Sequence, residues 1–127
     1  MAELLKNIQS YWDMRAGGFS DASMEERKTE PGERWENIFK NSLKTGCHVL
    51  DDGCGAGFFT TLLASMGFQV TAVDYSTKML EEVRRNLETE GLKAELHQMD
   101  VQSLEFADNS FDAVVSRKRI LEPGACR

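Results

Sequence analysis

Short apolar runs alternate with helical stripes over most of this chain. Four runs have the composition of buried or half-buried strands, and they lie at residues 47–50, 68–73, 93–99 and 111–115. Between the first three runs, apolar residues recur three and four positions apart, which predicts helices over residues 58–66 and 77–90. This alternation predicts an α/β fold with a parallel sheet and right-handed crossovers.

The N-terminal third of the chain has the pattern of helices rather than strands. Within residues 2–15 the apolar positions form a stripe typical of an amphipathic helix, and the glycines at 17 and 18 end this predicted helix. The polar segment 20–30 predicts a loop or a frayed helix, and Pro31 then begins a second helix that extends to about Leu43. We therefore divide the chain into a helical cover at 1–45, an α/β core at 46–116 and an irregular tail at 117–127.

Composition and charge exclude several classes of function. The chain has 127 residues, 41% hydrophobic and 28% charged, which is ordinary for one globular domain. A net charge of −6 disfavours a nucleic-acid interface, and no apolar run is long enough for a membrane helix. The three cysteines are scattered without metal-ligand spacing, so we expect reduced thiols, no bound metal and a cytoplasmic protein.

A glycine-rich loop joins the first core strand to the first core helix. Asp51, Gly53, Gly55 and Gly57 form the pattern D-x-G-x-G-x-G. A dinucleotide loop needs a small residue where Phe58 stands, and a phosphate-binding P-loop needs a lysine that is absent here. An acidic residue beside such a loop suits a cationic ligand better than a pyrophosphate. Tight packing of the turn alone is the alternative.

Acidic residues follow three of the four predicted strands. They are Asp51, Asp74 and Asp100, and in a parallel sheet the carboxyl ends of the strands form the ligand site. Asp74 lies 17 positions after Gly57, close to the spacing of a ribose-binding acid, and its carboxylate can accept from both ribose hydroxyls. Asp100 could accept from an adenine amino group or serve as a turn residue. Together these residues predict an adenosine-type ligand.

Several segments resemble the sequence motifs of class I S-adenosylmethionine-dependent methyltransferases. VLDDGCGAGFFT is similar to motif I, VTAVDYSTKML to motif II, HQMDVQSLEF to motif III and NSFDAVVSR to motif IV. The opening YWDMRAGGF resembles the N-terminal segment of the small bacterial members. The resemblance implies a Rossmann-like sheet of about four strands in the order 3-2-1-4, with S-adenosyl-L-methionine as the cofactor.

The resemblance also implies which residues contact the cofactor. The matching positions are Asp51, Gly53, Cys54, Gly55, Gly57, Asp74, Tyr75, Met79, Asp100, Val101, Ser116, Arg117, Tyr11, Trp12 and Arg15. It places Asp51, Gly53 and Gly55 at the methionine moiety, and Asp74 and Tyr75 at the ribose. Cys54 corresponds to the usual small residue of the loop rather than to a nucleophile.

The remaining matching positions concern the adenine, the methyl group and the N-terminal helical cover. The resemblance implies that Met79 packs near the adenine and that Asp100 and Val101 contact its edge. Ser116 and Arg117 would lie near the methionine end and the acceptor. Three N-terminal residues are candidates for a lid, although packing of their helix on the sheet explains them equally well: Tyr11, Trp12 and Arg15. No residue is implied as a general base.

The chain departs from the family pattern after the fourth strand. Family members continue with further helices and strands that build the acceptor pocket, whereas this sequence ends with RKRILEPGACR. Pro123 and Gly124 argue against a helix in that tail. We expect the C-terminal strands to be missing and the edge of the fourth strand to be free, so that it pairs with a second copy of the chain.

These observations predict the cofactor-binding portion of an S-adenosylmethionine-dependent methyltransferase. The acceptor, a small molecule or another group, is not defined by the sequence. A non-catalytic module that binds S-adenosylmethionine or S-adenosylhomocysteine is the alternative. An NAD-dependent oxidoreductase is a weaker one, because Phe58 breaks the dinucleotide pattern.

Overall fold

A computed structural model describes residues 18, 20–100, 110–116 and 119–121 of the chain. It contains helices and strands in the predicted alternation, preceded by a helix α1 whose described part covers residue 18 and residues 20–27. The remaining elements are α2 (Glu30–Ser42), β1 (His48–Asp52), α3 (Phe58–Ser65), β2 (Gln69–Asp74), α4 (Thr77–Thr89), β3 (Glu95–Gln98), β4 (Ala113–Ser116) and β5 (Arg119–Leu121).

The sheet has the order β3-β2-β1-β4-β5. Its first four strands are parallel and follow the predicted order 3-2-1-4, so the Rossmann-like arrangement is confirmed. β1 extends two residues further than the sequence predicts, because Asp51 and Asp52 pair with Ala72 and Val73 of β2. The two aspartates are therefore part of the central strand rather than of the loop that follows it.

The C-terminal tail corrects two of our predictions. Residues 119–121 are not irregular but form β5, which pairs antiparallel with β4 and sets Ser116 opposite Arg119. Pro123 lies beyond this strand and so does not interrupt it. β5 occupies the edge of β4 that we expected to be free, so pairing of two copies through that edge is wrong. Association of the chain with itself stays a prediction without this route.

One face of the sheet carries the apolar core. Alternate residues of β1, β2 and β4 point to this face, including Val49, Val70 and Val115. They pack against α2 and α3, where the rings of Phe39 and Phe59 meet edge to face at 5.0 Å between centroids. A second cluster joins Ala72 of β2 to α4 through Leu80, Val83 and Leu87. The core thus fixes α3 and α4 beside the carboxyl ends of β1 and β2.

Helix α1 occupies the segment for which the sequence predicts a loop or a frayed helix. Its polar residues find specific partners: Arg27 forms an ion pair with Glu90 next to α4, and Ser20 accepts a hydrogen bond from Asn86 at 2.9 Å. Ser20 and Ser23 are buried. These contacts use polar side chains, so the segment lacks the apolar stripe by which a helix is recognised in a sequence.

The cysteines differ in state. Cys47 is disulfide-bonded, against our expectation of reduced thiols, whereas Cys54 is a free and buried thiol.

In the part of the chain that the structure describes, no helix is long and apolar enough to cross a membrane.

The corner between α1 and α2 depends on the absence of a side chain at Gly32. A Cβ atom at this position would lie 1.7 Å from the carbonyl oxygen of Arg27. We expect Gly32→Ala to lower the free energy of unfolding by about 2–3 kcal/mol, because the helices must separate to relieve the overlap. Urea unfolding of the variant measures this change.

Gly18→Ala is the matched control for this variant. A Cβ atom at Gly18 meets nothing within 4 Å, so its stability should stay within about 0.5 kcal/mol of the wild type. A Gly32→Ala protein as stable as the Gly18→Ala protein would contradict the described corner.

Candidate cofactor site

The glycine loop lies across the carboxyl end of β2. The amide groups of Gly53 and Cys54 both donate to the carbonyl oxygen of Val73, at 3.0 and 2.9 Å. Gly57 has a φ of 97°, and a Cβ atom there would lie 3.1 Å from Cγ1 of Val83. Both the left-handed backbone and the close approach of α4 therefore require glycine at this position. The loop leaves β1, turns over β2 and enters α3.

Asp74 joins the loop to the start of α4. One of its carboxylate oxygens accepts from the amide of Gly55 at 2.8 Å, and the other accepts from the amide of Ser76 at 3.0 Å. Ser76 in turn caps α4 by accepting from the amide of Met79 at 3.2 Å. Each carboxylate oxygen has a second lone pair, so Asp74 retains the capacity to accept from a ligand hydroxyl.

Asp51 is a buried carboxyl group at the end of the central strand. Only 2% of its surface is exposed, and Oδ2 accepts a hydrogen bond of 2.6 Å from Oγ1 of Thr60 on α3. Burial raises the pKa of Asp51 to about 7, the hydroxyl group of Thr60 opposes that rise, and the charges of Asp74 and Asp52 add to it. The protonation of Asp51 therefore changes near neutral pH.

Asp52 is the third acidic group of this region. Its Oδ1 atom is buried without a hydrogen-bond partner, and burial together with the charge of Asp74 raises its pKa. In the described part of the chain, Asp51, Asp52 and Asp74 form no ion pair with a lysine, arginine or histidine. The carboxyl ends of β1 and β2 thus hold three acidic groups that no cation among the described residues pairs with, which favours a cationic ligand.

A small cavity of about 60 Å³ opens beside Asp51. It is lined by Ser23, Asp51, Gly53, Cys54, Gly55, Phe58 and Phe59. Because ligand pockets usually exceed 300 Å³, this cavity can hold a small polar group such as the amino group of an amino acid, and not a nucleoside. Ser23 brings α1 to the wall of the cavity.

Cys54 lines this cavity but lacks the properties of a nucleophile. Burial raises its pKa well above the usual range, and the charges of Asp51 and Asp74 raise it further. The thiol therefore stays protonated at neutral pH. This supports the interpretation of Cys54 as a small packing residue of the loop.

The structure places further predicted residues around the same edge. Met79 is buried against Ala56 of the loop, and the carbonyl group of Tyr75 accepts from the side chain of Gln98 at 3.1 Å. Asp100 follows β3 and is half-buried, and Ser116 ends β4. Val101, Arg117, Tyr11, Trp12 and Arg15 lie outside the described residues. The contacts of all these residues with a cofactor stay predictions.

Sequence analysis missed three residues that shape the site. Thr60 bonds Asp51, Ser23 lines the cavity, and Asn86 bridges the carbonyl group of Ala56 at 3.0 Å and the hydroxyl group of Ser20. The available signal is a polar residue in a helix that packs on the core, since an unpaired hydroxyl or amide group is costly where it is buried; Ser23 and Thr60 are buried and Asn86 is half-buried. No group of three potential metal ligands lies together among the described residues.

The fold and the candidate site together define a Rossmann-like protein with a glycine loop and three acidic residues at the carboxyl ends of its central strands. Residues 49–124 match the family model described as a methyltransferase domain, which is more than half of the chain. The chain belongs to this methyltransferase family.

Curated relatives agree with this assignment. The chain is 37% identical over 71 residues to a ubiquinone biosynthesis O-methyltransferase of Methylocella silvestris, a match that covers 56% of the chain and 28% of that protein. It is also 37% identical over 91 residues to the S-adenosyl-L-methionine-dependent Diels-Alderase iliD of a Neonectria species, covering 65% of the chain and 37% of that protein. The chain thus spans roughly a third of the length of these relatives.

A solved structure supports the fold. The crystal structure of mmp1179 from Methanococcus maripaludis, described as a candidate S-adenosyl-L-methionine-dependent methyltransferase, is similar with a TM-score of 0.69 and 27% identity. The match covers 83% of this chain and 49% of that one.

The raised pKa of Asp51 predicts how stability depends on pH. Its value of about 7 in the folded protein lies above the ordinary 3.8, so the folded state holds a proton that the unfolded state has lost. The contribution of Asp51 to the free energy of unfolding therefore falls as pH rises from about 4 to 7. The side chain of Asp51→Asn stays neutral at every pH. We therefore expect the free energy of unfolding of this variant, relative to that of the wild type, to rise by about 2–3 kcal/mol between pH 5 and pH 8.

Urea unfolding at both pH values measures this gain. Asp21→Asn, which removes an exposed carboxylate from α1, should show no comparable dependence. An Asp51→Asn protein that is less stable than the wild type at pH 8 would contradict the burial of an ionisable carboxyl group.

Proposed function

We propose that this chain binds S-adenosylmethionine and forms the cofactor-binding part of a methyltransferase. The observation that carries the proposal is the buried carboxyl group of Asp51, which faces a glycine-lined cavity and has no protein cation beside it in the described part of the chain. Family membership supports the same cofactor. The sulfonium and ammonium groups of S-adenosylmethionine would supply the positive charge that the described residues do not bring to this acidic region.

The residues of the site fit this cofactor. Asp51 and the glycine loop would hold the amino-acid end, in a cavity of suitable size for an ammonium group. Asp74, which the amides of Gly55 and Ser76 hold in place, would accept from the ribose hydroxyls. A carboxylate held by two amides needs no reorganisation when the ribose arrives, so the site is preorganised.

The chemistry follows from the cofactor, which carries an activated methyl group on a sulfonium leaving group when it is bound. The part of this chain would be to bind that group, orient it and exclude water, so that proximity and orientation account for the rate. Nothing among the described residues marks a general base. The acceptor is therefore left open, as a small molecule or another nucleophile.

A second function within the same cofactor class is a module that binds S-adenosylmethionine without methyl transfer. Similarity to a protein named as an S-adenosyl-L-methionine-dependent Diels-Alderase favours it, because that name describes a different reaction. An NAD-dependent function is disfavoured by charge, since a pyrophosphate group would meet Asp51, Asp52 and Asp74. A cytoplasmic location and self-association stay predictions from the sequence.

Titration calorimetry with S-adenosylhomocysteine and, separately, with NAD tests the proposal. We expect binding of S-adenosylhomocysteine and none of NAD. Asp74→Ala should weaken that binding by about 1.5–3 kcal/mol, because the ribose hydroxyls lose a charged acceptor. Binding of NAD in place of S-adenosylhomocysteine would contradict the proposal.

Two variants serve as controls for the Asp74→Ala protein. Asp21→Ala removes an exposed acid of α1 and should leave the affinity unchanged. Asp74→Asn keeps an acceptor oxygen for only one of the two amides that Asp74 holds, those of Gly55 and Ser76, so its stability is measured beside its affinity. A loss of affinity at unchanged stability then assigns the loss to the ribose and not to the loop. Unchanged affinity in both Asp74 variants would remove Asp74 from the site.

A further inference from the structure

We propose that Thr60 is a positioning residue for Asp51. Its hydroxyl group holds the carboxyl group in one orientation and keeps it available as an acceptor for the ammonium group of the ligand. The inference rests on the proposed function and adds a residue that lies outside the glycine loop and its acidic neighbours.

The geometry of the pair carries the proposal. Thr60 is fully buried, and its Oγ1 atom lies 2.6 Å from Oδ2 of Asp51. That distance is typical of a hydroxyl group that donates to an ionised carboxylate. A threonine hydroxyl has a single proton, and its donation to Oδ2 holds the carboxyl group of Asp51, which lines the cavity. A backbone hydrogen bond from Thr60 also favours the ionised form, and it is kept when only the side chain is substituted.

The neighbouring residue shows that this bond is not a general property of the helix. Thr61 is equally buried, yet its hydroxyl group donates to the carbonyl group of Gly57 at 2.8 Å, within the first turn of the helix. Buried threonines in helices commonly make such local bonds. Thr60 instead reaches from α3 to β1, which ties the first turn of α3 to the acidic group of the site.

Charges around Asp51 explain why a donor is needed. Asp52 from β1 and Asp74 from β2 carry charges that disfavour an ionised Asp51, whereas the thiol of Cys54 from the loop stays protonated. The other cavity-lining side chains bring no charge: Ser23 from α1 and Phe58 and Phe59 from α3. The hydroxyl group of Thr60 is the described side-chain donor that favours the ionised form.

Thr60→Val tests the proposal, because valine keeps the shape of threonine and lacks the hydroxyl group. We expect the affinity for S-adenosylhomocysteine at pH 7 to fall about five- to twentyfold, since Asp51 loses both its orientation and part of its ionisation. The ratio of the wild-type affinity to that of Thr60→Val should fall to about threefold or less at pH 8.5, where Asp51 is ionised even in the absence of the hydroxyl group. Titration calorimetry at pH 6, 7 and 8.5 measures how the affinity depends on pH. Protonation of the ligand's own groups changes with pH in the same way for both proteins and so does not affect the comparison.

Matched variants complete the test. Thr60→Ser retains the hydroxyl group and Thr61→Val removes the neighbouring one, and both should bind within about twofold of the wild type. Thr60→Ala also lacks the hydroxyl group and replaces Thr60→Val if that protein does not fold, as judged by urea unfolding.

Three outcomes would overturn the inference. Affinity of Thr60→Val within twofold of the wild type at pH 7 would mean that the hydroxyl group does not act on the ligand. An equal loss at every pH, shared by Thr60→Ser, would assign Thr60 to packing. If the wild type binds S-adenosylhomocysteine, these results remove only the role of Thr60, whereas a wild type that does not bind at any pH ends the proposed function as well.

Discussion

The burial of one carboxyl group, that of Asp51, is the constraint on which this structure depends. A carboxyl group removed from water is costly in its charged form, and two further acids beside it increase that cost. The fold tolerates the cost because Asp51 lies on the central strand, where pairing with Ala72 and Val115 on either side leaves its backbone no freedom to withdraw. A buried ionisable group of this kind lowers the stability of the fold, and groups with strongly perturbed pKa values cluster at functional sites.

Hydrogen bonds from the surrounding elements hold the candidate site together. The glycine loop is held on the end of β2 by the carbonyl group of Val73, and Asp74 holds Gly55 from the side. Asn86 on α4 joins the loop to α1, so the cover and the loop share one hydrogen-bond donor. Movement of α1 would therefore disturb the loop directly.

Sequence patterns predicted the parallel sheet and the loop well, and the tail poorly. Asp51, Gly57 and Asp74 were recognisable because a strand end, a left-handed turn and a ribose-type spacing each restrict the residue that can stand there. The helical state of residues 20–27 was missed because its contacts are polar, and β5 was missed because three residues give too little periodicity. The bond from Thr60 to Asp51 could not be predicted, since it depends on how α3 is rotated against β1.

Methyltransferases differ in their acceptors, and in our proposal the described residues form the cofactor half of the site. Two relatives of this chain are named for different reactions, an O-methyl transfer and a Diels-Alder reaction. The fold therefore fixes the cofactor class more closely than the reaction. The acidic region around Asp51 is the feature that distinguishes this site from a dinucleotide site of similar topology.

Proton release on binding is the most direct test of this account. Calorimetric titration of the protein with S-adenosylhomocysteine at pH 6, in two buffers of different ionisation enthalpy, counts the protons exchanged. If the ammonium group of the ligand meets Asp51, a carboxyl group with a pKa of about 7 must ionise, and close to one proton per site should be released. Binding with no proton release, or an equal release from Asp51→Asn, would contradict the central role of this buried acid.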